Sequence, residues 1–93
     1  MATAQQVAET KQMVRQAMQE EGVSADTLIR LGKMAEAVLK NKALYPQLVQ
    51  AIIASDLAEE GDIPAEVDYQ LIGVFAALGK MAEQMMASGE LGV

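Results

Sequence analysis

The chain has 93 residues, enough for one domain, and 52% of them are hydrophobic. Sixteen of these are Ala, seven are Met and two are Tyr, leaving 23 of Val, Ile, Leu and Phe. That exceeds the composition of a disordered chain but is thin for a self-sufficient core. Cys, His and Trp are absent, which excludes disulfides, thiolate chemistry, ordinary zinc sites and an imidazole base.

The formal net charge of −6 is unevenly placed. Residues 1–46 hold six Lys/Arg against five Asp/Glu, whereas residues 47–93 hold Lys80 alone against eight acids. Such a second half repels a phosphate backbone, so no nucleic-acid partner is expected. Lys11, Arg15, Arg30, Lys33, Lys40 and Lys42 read most plainly as a solvated helix surface. The opening Met1-Ala-Thr-Ala-Gln-Gln has no basic leader before an apolar run. The longest uncharged stretch, Ala43 to Ser55, is too short and polar to span a bilayer. A cytoplasmic protein with no membrane partner is therefore expected.

In chain order the sequence reads as helix throughout. The first helix is expected from about Thr3 to Glu21, with Ala4, Val7, Val14 and Met18 at three-four spacing, Lys11 breaking the seam and Gly22 stopping it. Its stripe is narrow, so residues 1–22 are expected to form a weakly anchored helix, free to project or to bind a partner. Ser24 then caps a second helix, with Asp26 in its first turn and Val23 placed to staple on Leu28. This helix presents Leu28, Leu31, Ala35, Val38 and Leu39. Pro46 suits the start of a third helix carrying Leu48, Val49, Ile52, Ile53 and Leu57 and ending at Gly61. Asp62-Ile63-Pro64 opens the expected fourth helix, whose buried face should include Val67, Leu71, Val74, Phe75, Leu78, Ala82 and Met85. Residues 23–88 then make a three-helix body and 89–93 a flexible tail. The expected fold class is all-α, a small antiparallel bundle of about four helices.

One phrase recurs. Leu31-Gly-Lys-Met-Ala-Glu36 reappears unchanged as Leu78-Gly-Lys-Met-Ala-Glu83. A mid-helix Gly costs about 1 kcal/mol relative to Ala, so Gly32 and Gly79 call for a packing reason. Close approach of the second and fourth helices would supply one, while chance recurrence among helix-forming residues is the plain alternative.

Little here supports catalysis. Ser24, Ser55 and Ser88 have no His to activate them, and Ser24 is better used as a cap. The acids Asp56, Glu59, Glu60, Asp62, Glu66 and Asp68 cluster around a helix connection, where a solvated surface is their usual meaning. Setting Asp56 at the first position of a calcium loop puts Ala58 third and Val67 twelfth, so the closing bidentate carboxylate is missing. No metal or cofactor is expected. Met81, Met85 and Met86 with Leu78 cover more of a helix than one buried stripe needs, and Met lines adaptable binding surfaces as well as cores.

The leading Met1-Ala-Thr-Ala-Gln-Gln-Val-Ala-Glu-Thr segment, the acidic helical body and the two Leu-Gly-Lys-Met-Ala-Glu phrases resemble the small helical accessory proteins of tailed bacteriophages. That resemblance implies a virion or morphogenesis component without enzymatic activity, found in the host cytoplasm or the virion. The residues themselves point to a non-catalytic protein-interaction or assembly protein, a homo-oligomer or subunit of a complex. Its expected contacts are Val7, Val14 and Met18 on the first helix and Met81, Met85 and Met86 on the fourth. The alternative is a small acidic inhibitor or regulator that presents Asp56, Glu59, Glu60 and Asp62 to a basic site on another protein.

Overall fold

Thr3 opens the first helix, α1 (Ala4–Glu20), in a computed structural model that describes residues 3–91. The Thr3 Oγ1 accepts from the Gln6 amide at 3.1 Å and the Gln6 Oε1 accepts from the Thr3 amide at 2.9 Å, so two otherwise unpaired donors are satisfied reciprocally. Gly22, at φ 67°, turns the chain out of α1 in a left-handed conformation. Ser24 then caps α2 (Ala25–Lys40) by accepting from the Thr27 amide at 3.1 Å. Val23 and Leu28 are both buried, as a staple across that cap requires.

A 3-10 turn, Lys42–Leu44, leads into α3 (Tyr45–Ala54), with Pro46 in the first turn, where its missing N–H leaves no bond unmade. The expected end at Gly61 is not observed. Asp56 takes φ 58°, its amide donates to the Ile53 carbonyl at 3.0 Å, and the Leu57 amide donates to the Ile52 carbonyl at 3.3 Å. These two bonds close the helix in the manner usually assigned to Gly. Asp is one of the few side chains that enters the left-handed region at modest cost, so the helix stops before Gly61 is reached.

The fourth helix also starts later than expected. Asp68, not Asp62, caps α4 (Tyr69–Ala87), its Oδ1 accepting from the Gln70 and Leu71 amides at 3.0 and 3.3 Å. Residues 55–68 between α3 and α4 form a strap with one 3-10 turn, Glu60–Asp62. Ile63 is buried under it, and the Tyr45 hydroxyl donates to the Pro64 carbonyl at 3.1 Å. Ile63 and Pro64 therefore pin the strap over α3 instead of opening a helix.

Among the described residues there are four α-helices and no strands, an all-α bundle. Its centre is the crossing of α2 and α4, the pair that packs most extensively. A Cβ placed on Gly32 would lie 2.6 Å from the Gly79 Cα, and one placed on Gly79 would lie 2.5 Å from the Gly32 Cα and 2.9 Å from the Leu28 carbonyl oxygen. Exchanging the two glycines exchanges the rest of the contact, since the Gly32 position faces the Phe75 carbonyl oxygen at 3.2 Å. Leu28 and Phe75 occupy equivalent places before the two copies of the phrase. The repeat is thus a pair of matched halves in one crossing, with backbone against backbone.

Around this contact pack Leu28, Leu31 and Val38 of α2, Leu48 and Ile52 of α3, and Ile72, Phe75 and Met85 of α4. Two expected core residues lie outside it: Leu39 is 54% exposed and Val74 is 38% exposed. Ile72 takes the buried place on α4, and Val74, two residues on, lies about 200° around the helix.

Two glycines on α4 separate packing from propensity. A methyl group added at Gly73 would meet nothing within 4 Å, whereas one added at Gly79 would meet backbone at 2.5 Å. Gly73→Ala is expected to raise stability by up to about 1 kcal/mol, the helix-propensity gain. Gly79→Ala is expected to lower it by about 2 kcal/mol or more, because the helices must separate. Urea unfolding of both variants measures the difference, and equal effects would refute the close-packed crossing.

Candidate partner-binding surfaces

The fold divides the six apolar contact residues expected from the sequence into two groups. Val14 and Met85 are fully buried in the chain's own core, so they have no area to offer a partner. α1 packs on α4, and Val14 is the one side chain α1 commits fully to the core. Met18 and Met81 are half-buried and packed against the same core. Val7 and Met86 are also half-buried. Met13, which the helical spacing does not single out, is 43% exposed on α1. The remaining apolar surface on this side is therefore a chain of partly covered side chains on α1 and the end of α4.

The end of α4 is tied back to α1 by charge. Gly89, at φ 78°, turns the chain, and Lys11 Nζ sits 2.8 Å from Glu90 Oε1, with Arg15 at 4.0 Å from the same oxygen. The Ser88 hydroxyl donates to Glu90 Oε2 at 2.8 Å. The flexible tail expected at 89–93 is thus held at its start. Glu90 makes these contacts, Leu91 packs against the core, and Gly92 and Val93 lie outside the described residues. The hydrogen bond from Lys11, and then that from Ser88, holds the Glu90 carboxyl below its usual range.

The strap between α3 and α4 is acidic. It holds Asp56, Glu59, Glu60, Asp62, Glu66 and Asp68 with no Lys or Arg, so it carries −6, the whole net charge of the chain; the other seven acids and seven bases cancel. The ion pairs among the described residues all involve Glu90, and none reaches the strap. Glu59 and Asp62 are used locally in the 3-10 turn, where the Asp62 Oδ2 accepts from the Glu59 amide at 3.4 Å. Between the strap and α3 runs a groove of about 340 Å³ lined by Tyr45, Val49 and Ile53 of α3 and by Glu60, Ile63 and Pro64 of the strap. Helical spacing places Val49 and Ile53 on one face but carries no sign of the groove, because the groove exists only once Ile63 and Pro64 fold back over α3.

Three of the cations are engaged within the chain. Lys11 and Arg15 turn to Glu90, and Lys42 lies 5.5 Å from the Tyr69 ring centre. Interaction with the Tyr69 side chain, hydrogen bonding first, raises the Lys42 ammonium above its usual range. No group of three His, Cys, Asp or Glu among the described residues is arranged to hold a metal ion, and no described helix is long and apolar enough to cross a membrane.

The Glu90 contact has a definite pH dependence. Pairing lowers its folded-state pKa below the unfolded value, so its stabilisation is fully present above the ordinary carboxylate range and is lost as pH falls through the depressed value. Protection of amides in the first half of α1 against hydrogen exchange, taken relative to the intrinsic rate at each pH, is expected to fall over that acidic window, and Glu90→Gln should lower it at neutral pH too. Equal exchange in the variant and the parent at neutral pH would show that the pair does not anchor α1.

No protein-family model, curated protein or solved structure matches the chain.

Proposed function

We propose that this chain is a non-catalytic helical interaction protein that assembles with copies of itself or with a larger structural partner through α1 and the end of α4. The observation that carries the reading is the thin attachment of α1. A helix of 17 residues commits one side chain, Val14, fully to the core, while Val7 and Met18 are half-covered and Met13 is 43% exposed. Helices in proteins draw most of their stability from tertiary packing, and a second chain laid on this side would add it. The sequence resemblance to small accessory proteins of tailed bacteriophages supports placing such assembly in a virion or its morphogenesis.

A second reading is favoured by the placement of charge. A strap holding the entire net charge of −6 suits a small regulator that meets a basic site on another protein. The two readings differ in their response to salt, since exposed charge attraction is screened and apolar contact is not.

Sedimentation velocity over a wide range of concentration tests the first reading. The expected result is a species heavier than one chain that persists at high salt and reverts to one chain when Val7→Glu and Met13→Glu are combined. A strict monomer that also leaves a cognate structural partner unbound would overturn it. Glu59→Gln, Glu60→Gln and Asp62→Gln together are expected to leave this association unchanged.

A further inference from the structure

We infer that the groove between α3 and the 55–68 strap is a docking site for a short basic segment of a protein partner, one that presents a Leu-, Ile- or Phe-sized side chain flanked by Lys or Arg. This rests on reading the chain as an interaction protein, and it assigns a separate surface from α1 to a second partner of stated chemistry.

Three observations lead to it. First, α3 carries more apolar surface than the core takes up. Tyr45, Leu48 and Ile52 face inward and are buried, while Val49 and Ile53 form a second ridge at i, i+4 beside them and stay half-exposed. Second, the strap roofs only part of that ridge. Ile63 is buried and the Tyr45–Pro64 hydrogen bond fixes the distance between roof and floor, so an apolar slot of about 340 Å³ is held open. Pockets of this size accept a compact ligand group. Third, Glu60 lines the slot, on a strap that carries six carboxylates, none of them in an ion pair among the described residues.

Charge decides the occupant. An apolar slot alone would accept any greasy side chain, but the acidic strap repels nucleic acid, anionic lipid surfaces and acidic peptides alike. A segment with Lys or Arg on either side of one large apolar residue fits both parts of the site: the apolar side chain enters between Val49, Ile53 and Ile63, and the cations lie along Glu59, Glu60 and Asp62. Attraction by the rim then governs encounter and selection, and burial in the slot governs residence.

The test uses the whole chain and a fluorescent synthetic peptide composed of leucine and lysine, with two control peptides, one with serine for every leucine and one with glutamate for every lysine. The leucine–lysine peptide is expected to bind and to shift the backbone amide resonances of Val49, Gln50, Ile53 and Ala65. Loss of the leucines should weaken binding by about tenfold or more, the effect of removing one buried Leu-sized side chain. The glutamate peptide should not bind. Glu59→Lys combined with Glu60→Lys should weaken the leucine–lysine peptide by about tenfold at low salt and by less at high salt. Equal binding of the serine and leucine peptides, or resonance shifts spread over all acidic residues, would mean that the strap merely attracts cations, and would overturn the proposal. Shifts of the same groove residues with protein concentration in the absence of peptide would assign the slot to a second copy and overturn it as well. The two control peptides leave the protein unaltered, so the outcome does not depend on a variant folding. Sedimentation of the free chain reads the α1 surface separately, so failure of the groove leaves the assembly reading standing, and the reverse.

Discussion

The structure depends on the contact between Gly32 and Gly79, where α2 and α4 meet backbone to backbone. Interiors are packed densely enough that one added methyl group at such a point moves whole helices. Because each glycine sits over the other, the spacing is set by two positions that share the constraint equally. A larger residue at one cannot be accommodated by a smaller one opposite, since glycine has nothing left to give up. The crossing in turn brings Leu31 and Leu78 of the two phrases into one core, and leaves α1 and α3 to pack as flanks.

Those flanks are where surface is left over. α1 lies on α4 with Val14 as its deep anchor, and α3 adds Tyr45, Leu48 and Ile52 while Val49 and Ile53 beside them stay half-buried at the edge of the core. In a chain of 93 residues with 23 Val, Ile, Leu and Phe, a single tight crossing takes up much of what can be buried. The result is a molecule with a firm centre and two partly covered sides of different character, one rich in Met and the other acidic above an apolar slot.

Much of this is legible in the sequence where a residue has one structural use. Gly22, Ser24, Val23 with Leu28, Pro46 and Gly89 mark boundaries that the chain observes, because caps, staples and left-handed stops are decided by a few neighbouring atoms. The repeated phrase points to the glycine crossing for the same reason: a helix interior holds glycine at a cost. The end of α3 is not legible, since Asp56 takes the role expected of Gly61. Nor is the buried face of α4, which carries Ile72, Val74, Phe75 and Leu78 almost all round, so that spacing alone does not choose between Ile72 and Val74. The contact residues divide along the same line. Val14 looks like its neighbours in sequence, and only the packing of α1 on α4 places it inside, whereas Met85 lies on the buried face that helical spacing gives α4 and so has no area left for a partner.

The strap and the Glu90 clasp are both electrostatic, yet they have opposite sign, and dissolved ions therefore act on them in opposite directions. Within the strap, six charges of one sign share fourteen residues and counter-ions weaken their mutual repulsion; at the clasp, Lys11 and Glu90 attract and counter-ions weaken that attraction. Added salt therefore eases repulsion within the strap while it loosens the hold of Glu90 on α1.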